Sequence, residues 1–308
     1  MNVSLGISGN RTIVRRKSSI RSLVRVYFAL ASRLLPRVAR RHAEHLFTSP
    51  PRYAGRRVQP VDARRDTVVA GKHLLAVWQA GPAWAPAVLL VHGWGGRGLQ
   101  MGGFVSPLLA AGYRVVWFDQ PGHGENPRRA VGLPDFVRAV EALVTTHGPM
   151  AATIGHSLGA AALGMALRRR IALGRVVFVS APSSIDQHAY HFARLLGITP
   201  QVREAMRRRL EQRYGVPFAE IDRIEDLERV RVRALFVHDL NDAEVRFEHT
   251  LRLSQRMPGA RLLKTYGLGH YRLLRDATVI AAVVDFVRGD LTRLPVEVPA
   301  LPRPAPLY

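Results

Sequence analysis

The sequence predicts an α/β protein built on a doubly wound, mainly parallel sheet. Three observations carry that prediction. Short apolar runs alternate with helix-period stretches from about residue 66 to residue 290, a pattern that places helices on both faces of a parallel sheet. One run, Met150–Ile154, leads into Gly155-His156-Ser157-Leu158-Gly159, and a small-residue helix follows at once, the strand–turn–helix setting that a G-x-S-x-G motif needs. The 308 residues, 47% of them hydrophobic, are enough for one large core.

Taken in order, residues 1–20 are polar and basic and read as disordered. Residues 21–47 have helical periodicity, with Val24, Tyr27, Phe28, Leu34, Leu35 and Val38 set against a row of arginines. Pro36 is expected to kink this stretch or split it into two helices. Thr48 to Pro60 is a Pro/Arg linker, and Thr67–Ala70 with His73–Gln79 suggest a hairpin around Gly71. Strands follow at Ala87–Val91, Arg114–Asp119, Met150–Ile154, Val176–Ser180, Ala234–Val237 and Arg261–Tyr266. The helices between them carry Met101–Leu109, Phe136–Val144, Ala160–Leu167, Phe247–Arg256 and Leu273–Val287. Strand signals vanish at about residues 181–232, where Val202, Met206, Leu210 and Tyr214 line one helical face and arginines the other. The tail from Leu294 to Tyr308 holds five prolines. The expected organisation is a basic arm and linker (1–65), a domain (66–290) with a short helical cap (181–232), and a Pro-rich tail (291–308).

The net charge of +22 is unevenly spread. Residues 1–65 hold 15 Lys and Arg against Glu44 and Asp62, a net +13. Almost every cation is arginine, the lysines being Lys17, Lys72 and Lys264, which a genome-wide composition bias would produce. Two readings of the arm stay open: helices packed on the protein behind them, or a basic amphipathic helix on an anionic membrane surface. Arg33 interrupts Val26–Leu35, so no secretory signal is expected. The expected location is the cytoplasm, with the arm a candidate for peripheral membrane contact. With no cysteine, disulfides and thiolate catalysis are excluded. The 12 histidines show no metal-ligand spacing, so neither metal nor cofactor is implied. No nucleic-acid-binding module or interleaved aromatic stripe is present.

Four pieces of chemistry fall at strand ends, where an open α/β sheet places its site. His92-Gly93-Trp94-Gly95-Gly96 is a glycine-rich turn whose Trp94 N–H could join that of Leu158 as an oxyanion hole. It lacks the G-x-x-x-x-G-K-[ST] pattern of a phosphate loop. Ser157 sits at the tip of the sharp turn as a candidate nucleophile. Asp239 and Asp242 follow a strand, and His270 follows the last one. A serine needs a base such as His270 to take its proton, and the base needs a carboxylate to orient it.

These motifs, HGWGG (92–96), FDQPGHG (118–124), GHSLGA (155–160), VHDLND (237–242) and GLGH (267–270), resemble those of the α/β-hydrolase fold, over about residues 66–290. The resemblance implies Ser157 as nucleophile, His270 as base, Trp94 and Leu158 as oxyanion donors, and a variable helical cap after the sixth strand. It implies structural roles for Asp119 and Gly122-His123-Gly124. Family acid loops commonly read His-Gly-x-x-Asp; here Asp239 replaces the glycine and Asp242 holds the acid position, so Asp242 is preferred. His92 is expected to pack or bond structurally, His156 to line the core or pocket wall, and His123 and His238 to sit in turns. The implied activity is serine hydrolysis of a carboxylic ester or thioester through an acyl-enzyme. HGWG with a serine elbow also resembles carboxylesterases acting on acyl groups held by an acidic carrier protein, which an Arg-rich cap would suit. Amidase, C–C hydrolase, acyltransferase and cofactor-free haloperoxidase chemistry use the same triad. A membrane-binding protein in which hydrolysis is secondary is the alternative of a different kind.

Overall fold

The computed structural model describes residues 9–51, 61–290 and 292, and of residues 9–21 the backbone alone. The linker from residue 52 to residue 60 and the tail from Leu294 lie outside the described residues. In chain order, helices α1 (Gly9–Leu34) and α2 (Pro36–Thr48) precede strands β1 (Arg64–Ala70), β2 (His73–Ala80) and β3 (Ala87–Val91). Then come α3 (Val105–Ala110), β4 (Arg114–Phe118), α4 (Leu133–His147), β5 (Met150–His156), α5 (Leu158–Arg168) and β6 (Arg175–Val179). Helices α6 (Ile185–Leu196), α7 (Pro200–Tyr214) and α8 (Phe218–Ile221) occupy the stretch without strands. The chain closes with β7 (Ala234–Asp239), α9 (Phe247–Arg256), β8 (Arg261–Thr265), α10 (Gly269–Arg272) and α11 (Ala277–Arg288).

Residues 9–20 were expected to be disordered and are instead helical. Asn10 to Leu34 contains neither proline nor glycine, and its Arg and Lys are good helix formers. Pro36 does divide the arm: α1 stops at Leu34, and Pro36 opens α2 at the position where a missing N–H costs nothing.

The chain forms two compact units. One holds residues up to Thr48 together with Ile185–Ala219; the other holds Ser49–Ser184 and Glu220 onward. In the helical unit α2 lies on α7 and α1 on α6. Ala39 and Ala43 are fully buried there, and Phe47 meets Phe192 edge-on at 5.2 Å. The helices of the arm and those of the cap therefore share one core.

The larger unit contains an eight-stranded sheet in the order β1-β2-β4-β3-β5-β6-β7-β8. The β1/β2 and β2/β4 pairs are antiparallel and the remaining pairs parallel. Both faces of the parallel part are buried. Leu89, Val116 and Phe178 pack with Phe136 of α4, Leu163 of α5 and Leu253 of α9. Val88, Leu90, Trp117 and Ile154 pack on the opposite face with Leu108 of α3 and Val283 of α11. A strand such as β3 thus needs apolar side chains at every position, and Val88 to Val91 are all fully buried. The turns that follow β3, β5, β7 and β8 carry the four sequence motifs.

Candidate active site

Ser157 stands between β5 and α5 at φ +52° and ψ −122°, outside the backbone regions open to ordinary L-residues, at a cost of about 1–3 kcal/mol. Its surroundings hold it there. Ser157 N–H donates to the Val179 carbonyl at 2.9 Å and its own carbonyl accepts from Ala161 N–H at 3.1 Å. The flanking glycines make the turn possible. A Cβ on Gly155 would lie 2.8 Å from Ala160 Cα, and one on Gly159 would lie 2.5 Å from the His92 carbonyl oxygen. Strand, helix and the His92 turn are packed too tightly for any side chain.

Asp242 and His270 are brought together from loops 28 residues apart: Asp242 Oδ2 accepts from His270 Nδ1 at 2.7 Å. The other carboxylate oxygen accepts from the Glu244 and Val245 N–H groups at 2.9 and 3.0 Å. Burial alone would raise the Asp242 carboxyl. The hydrogen bond and charge of His270, with the Val245 and Glu244 N–H groups, outweigh burial and hold it at about 2. It is an anion at neutral pH and so keeps a proton of the His270 ring on Nδ1. Among the described residues no hydrogen bond joins Ser157 Oγ to the His270 ring. Such bonds are often long without substrate and shorten in the complex.

The turn and the loop that carries His270 nevertheless meet. His156, next to Ser157, donates from Nε2 to the His270 carbonyl at 2.9 Å, and the two rings lie 4.6 Å apart. The sequence placed His156 in the core or pocket wall; its link to the His270 loop spans 114 positions and leaves no local signal.

Asp239 does not touch His270 through its carboxylate. It closes β7 and ties three segments together, accepting from Asn241 N–H at 3.0 Å, Thr265 Oγ1 at 2.7 Å and Leu268 N–H at 3.0 Å. Burial opposes ionisation of Asp239, but these donors and the Gly269 N–H overcome it and the carboxyl titrates below its usual range. Asp239 thus fastens the loop holding Asp242 to the loop holding His270. His238 braces the same loop, with Nε2 donating to the Val245 carbonyl at 2.9 Å and Nδ1 2.7 Å from Thr250 Oγ1. It is the last but one residue of a strand, not a turn residue as the sequence suggested.

The glycine-rich turn abuts Ser157: a Cβ on Gly93 would lie 2.8 Å from Ser157 Cβ. Trp94 is in this turn, and Leu158 opens α5, where its N–H has no acceptor within the helix. Two histidines set the turn. His92 Nδ1 donates to the Gly93 carbonyl at 2.7 Å while its Nε2 accepts from Gln120 N–H at 2.8 Å. His123 Nε2 accepts from Gly95 N–H at 3.1 Å, and its Nδ1 donates to the Pro121 carbonyl at 2.9 Å. Asp119 accepts from Gly98 and Glu125 N–H groups, at 2.7 and 2.8 Å. A cavity of about 260 Å³ beside the turn is lined by Trp94, Gly95, Gln100, Tyr271, Arg272 and Arg275. Among the described residues no group of His, Asp and Glu could hold a metal ion.

Accepting a backbone N–H requires His92 and His123 to be neutral. Burial lowers His92 to about 4 and His123 to about 3, and burial with the neighbouring His270 lowers His156 to about 3. An unfolded chain protonates these rings near 6.5. Between that value and the folded values the unfolded state binds more protons, so stability must fall as pH falls. The loss by pH 4.5 should be on the order of 2 kcal/mol per ring. Urea denaturation at pH 7.5 and 4.5 checks this, and an unchanged midpoint would mean that the rings are not held neutral.

Comparison with known proteins agrees with this architecture. Residues 86–270 match the family described as alpha/beta hydrolase fold. A pimeloyl-[acyl-carrier protein] methyl ester esterase of Aromatoleum aromaticum is 26% identical over 251 residues, covering 66% of this chain and 99% of that enzyme. One from Photobacterium profundum is 33% identical over 126 residues, covering 40% of this chain and 46% of its own length. The esterase Pf2001 of Pyrococcus furiosus superposes with a TM-score of 0.60 at 17% identity, covering 78% of this chain and 98% of that structure. With well over half of its length matched, this chain belongs to the alpha/beta hydrolase fold family.

Proposed function

We propose that this protein is a serine hydrolase that cleaves a carboxylic ester or thioester through an acyl-enzyme. The observation that carries the reading is the buried Asp242–His270 hydrogen bond beside a serine on a strained strand-to-helix turn. Ser157 Oγ attacks the acyl carbon as His270 Nε2 takes its proton, and Asp242 stabilises the resulting imidazolium. The N–H groups of Trp94 and Leu158 receive the developing oxyanion, each contributing about 3–4 kcal/mol to the transition state. His270 returns the proton to the departing alcohol or thiol. Water, deprotonated by the same ring, then releases the acid from Ser157.

Arg272 and Arg275 line the adjoining cavity, Arg272 being anchored on the Leu268 carbonyl at 2.8 Å. Their charge supports a substrate with an anionic group. A carrier-bound acyl ester, the kind of substrate named for the Aromatoleum relative, meets that requirement. The test is hydrolysis of p-nitrophenyl esters of increasing chain length, neutral and with a terminal carboxylate. Turnover of the series with a preference for the carboxylate esters, reduced in Arg275→Ala, is expected. If no ester is turned over, the reaction class is wrong; if neutral and anionic esters are equivalent, the substrate class is.

A further inference from the structure

Helix α1 has two apolar faces. One is buried within the helical unit: Phe28 is 1% exposed and Ala31 and Ser32 are also buried. The α1 backbone comes so close to the end of α6 that a Cβ on Gly197 would lie 3.0 Å from the Arg25 carbonyl oxygen. The other face carries Leu23, Val26, Leu30 and Leu34, which are 56–75% exposed. Their spacing of three and four residues keeps them within an arc of about 80°, roughly opposite Phe28. Leu35, between α1 and α2, and Val38, in the first turn of α2, are exposed as well. The two readings left open by the sequence are thus not exclusive, because the helix is packed and still presents an apolar row to solvent.

Charge decides what fits that row. Residues 9–48 contain ten Lys and Arg and a single acid, Glu44, which is paired with Arg40. Arg33, near the end of α1, and Arg37 and Arg41 of α2 are exposed. A second copy of the chain would press two such cationic surfaces together. Nucleic acid would meet the arginines and leave the leucines wet. Apolar side chains inserted at the level of anionic headgroups satisfy both features. Among the described residues no helix is long and apolar enough to cross a membrane, so the contact would lie in the plane of the surface.

We propose that the exposed face of α1 formed by Leu23, Val26, Leu30 and Leu34, with Arg33 at its end and Arg37 and Arg41 on α2, docks on an anionic lipid surface. The test is co-sedimentation of the full chain with phosphatidylcholine vesicles, with and without phosphatidylglycerol. It includes the triple variant Leu23→Ser/Leu30→Ser/Leu34→Ser and a control, Trp84→Ser, whose side chain is even more exposed but lies in the other unit. Wild type and control should bind the anionic vesicles, at least about tenfold more weakly at 0.5 M salt than at 0.05 M. The triple variant should not bind, while its melting midpoint stays at the wild-type value, since its three positions are exposed. Equal binding by the triple variant, or no binding by the wild type, overturns the proposal. So does dimerisation, or binding of an acidic carrier protein, that depends on the three leucines in a chain that does not bind the vesicles.

Discussion

Replacement of Ser157 by alanine is expected to lower kcat for ester hydrolysis by about five to six orders of magnitude, the loss typical of removing a nucleophile from such a triad. Stability should barely change. The serine side chain is partly exposed, and alanine meets the same backbone strain at φ +52°. The Val179 and Ala161 hydrogen bonds that hold the turn use main-chain atoms only. A fluorophosphonate probe should add a single adduct mass to the wild-type chain and none to Ser157→Ala. Equal labelling of both proteins would move the nucleophile elsewhere.

Asp242→Asn is expected to cost about 10⁴-fold in kcat, as the loss of the orienting carboxylate does in a serine triad. An asparagine can still accept from the Glu244 and Val245 N–H groups. Toward His270 Nδ1, however, it presents an amide NH₂ where a carboxylate oxygen stood at 2.7 Å. The imidazole then keeps its proton on Nε2 and has no lone pair for Ser157. Asp239→Asn should behave differently. Its amide would face the Leu268 N–H now held at 3.0 Å, loosening the fastening between the two loops. Stability should fall more than in Asp242→Asn, and kcat by no more than about 10²-fold. Paired measurements of kcat and melting temperature separate the two residues. Greater kcat damage from Asp239→Asn in a folded protein would reverse the assignment.

Much of the fold was legible because local periodicity reports local burial. The β3 run Ala87–Val91 is apolar at every position, and both of its faces are covered. The glycines around Ser157 were legible for the same reason, since a missing Cβ records the backbone packing around it. What the sequence left obscure were pairings between distant segments. Nothing near His156 announces the His270 carbonyl, and nothing near Asp239 announces Thr265 and Leu268. His92 and His123 could be placed in turns, but not recognised as acceptors of the Gln120 and Gly95 N–H groups. Only tertiary geometry creates those bonds. The N-terminal helices gave the same difficulty: periodicity marked an apolar face but could not name α6 and α7 as what covers it.

The discontinuity of the helical unit also sets an order of events during synthesis. Its first segment ends at Thr48 and its second begins at Ile185, so more than 130 residues must be translated before α1 and α2 can meet their partners. At 5–20 residues per second the wait is on the order of 10 s, far longer than the submicrosecond folding of a single helix. Throughout that interval a nascent chain carries both apolar faces of α1 uncovered. Those helices are therefore a natural landing place for a chaperone, or for the membrane, before α6 and α7 have left the ribosome.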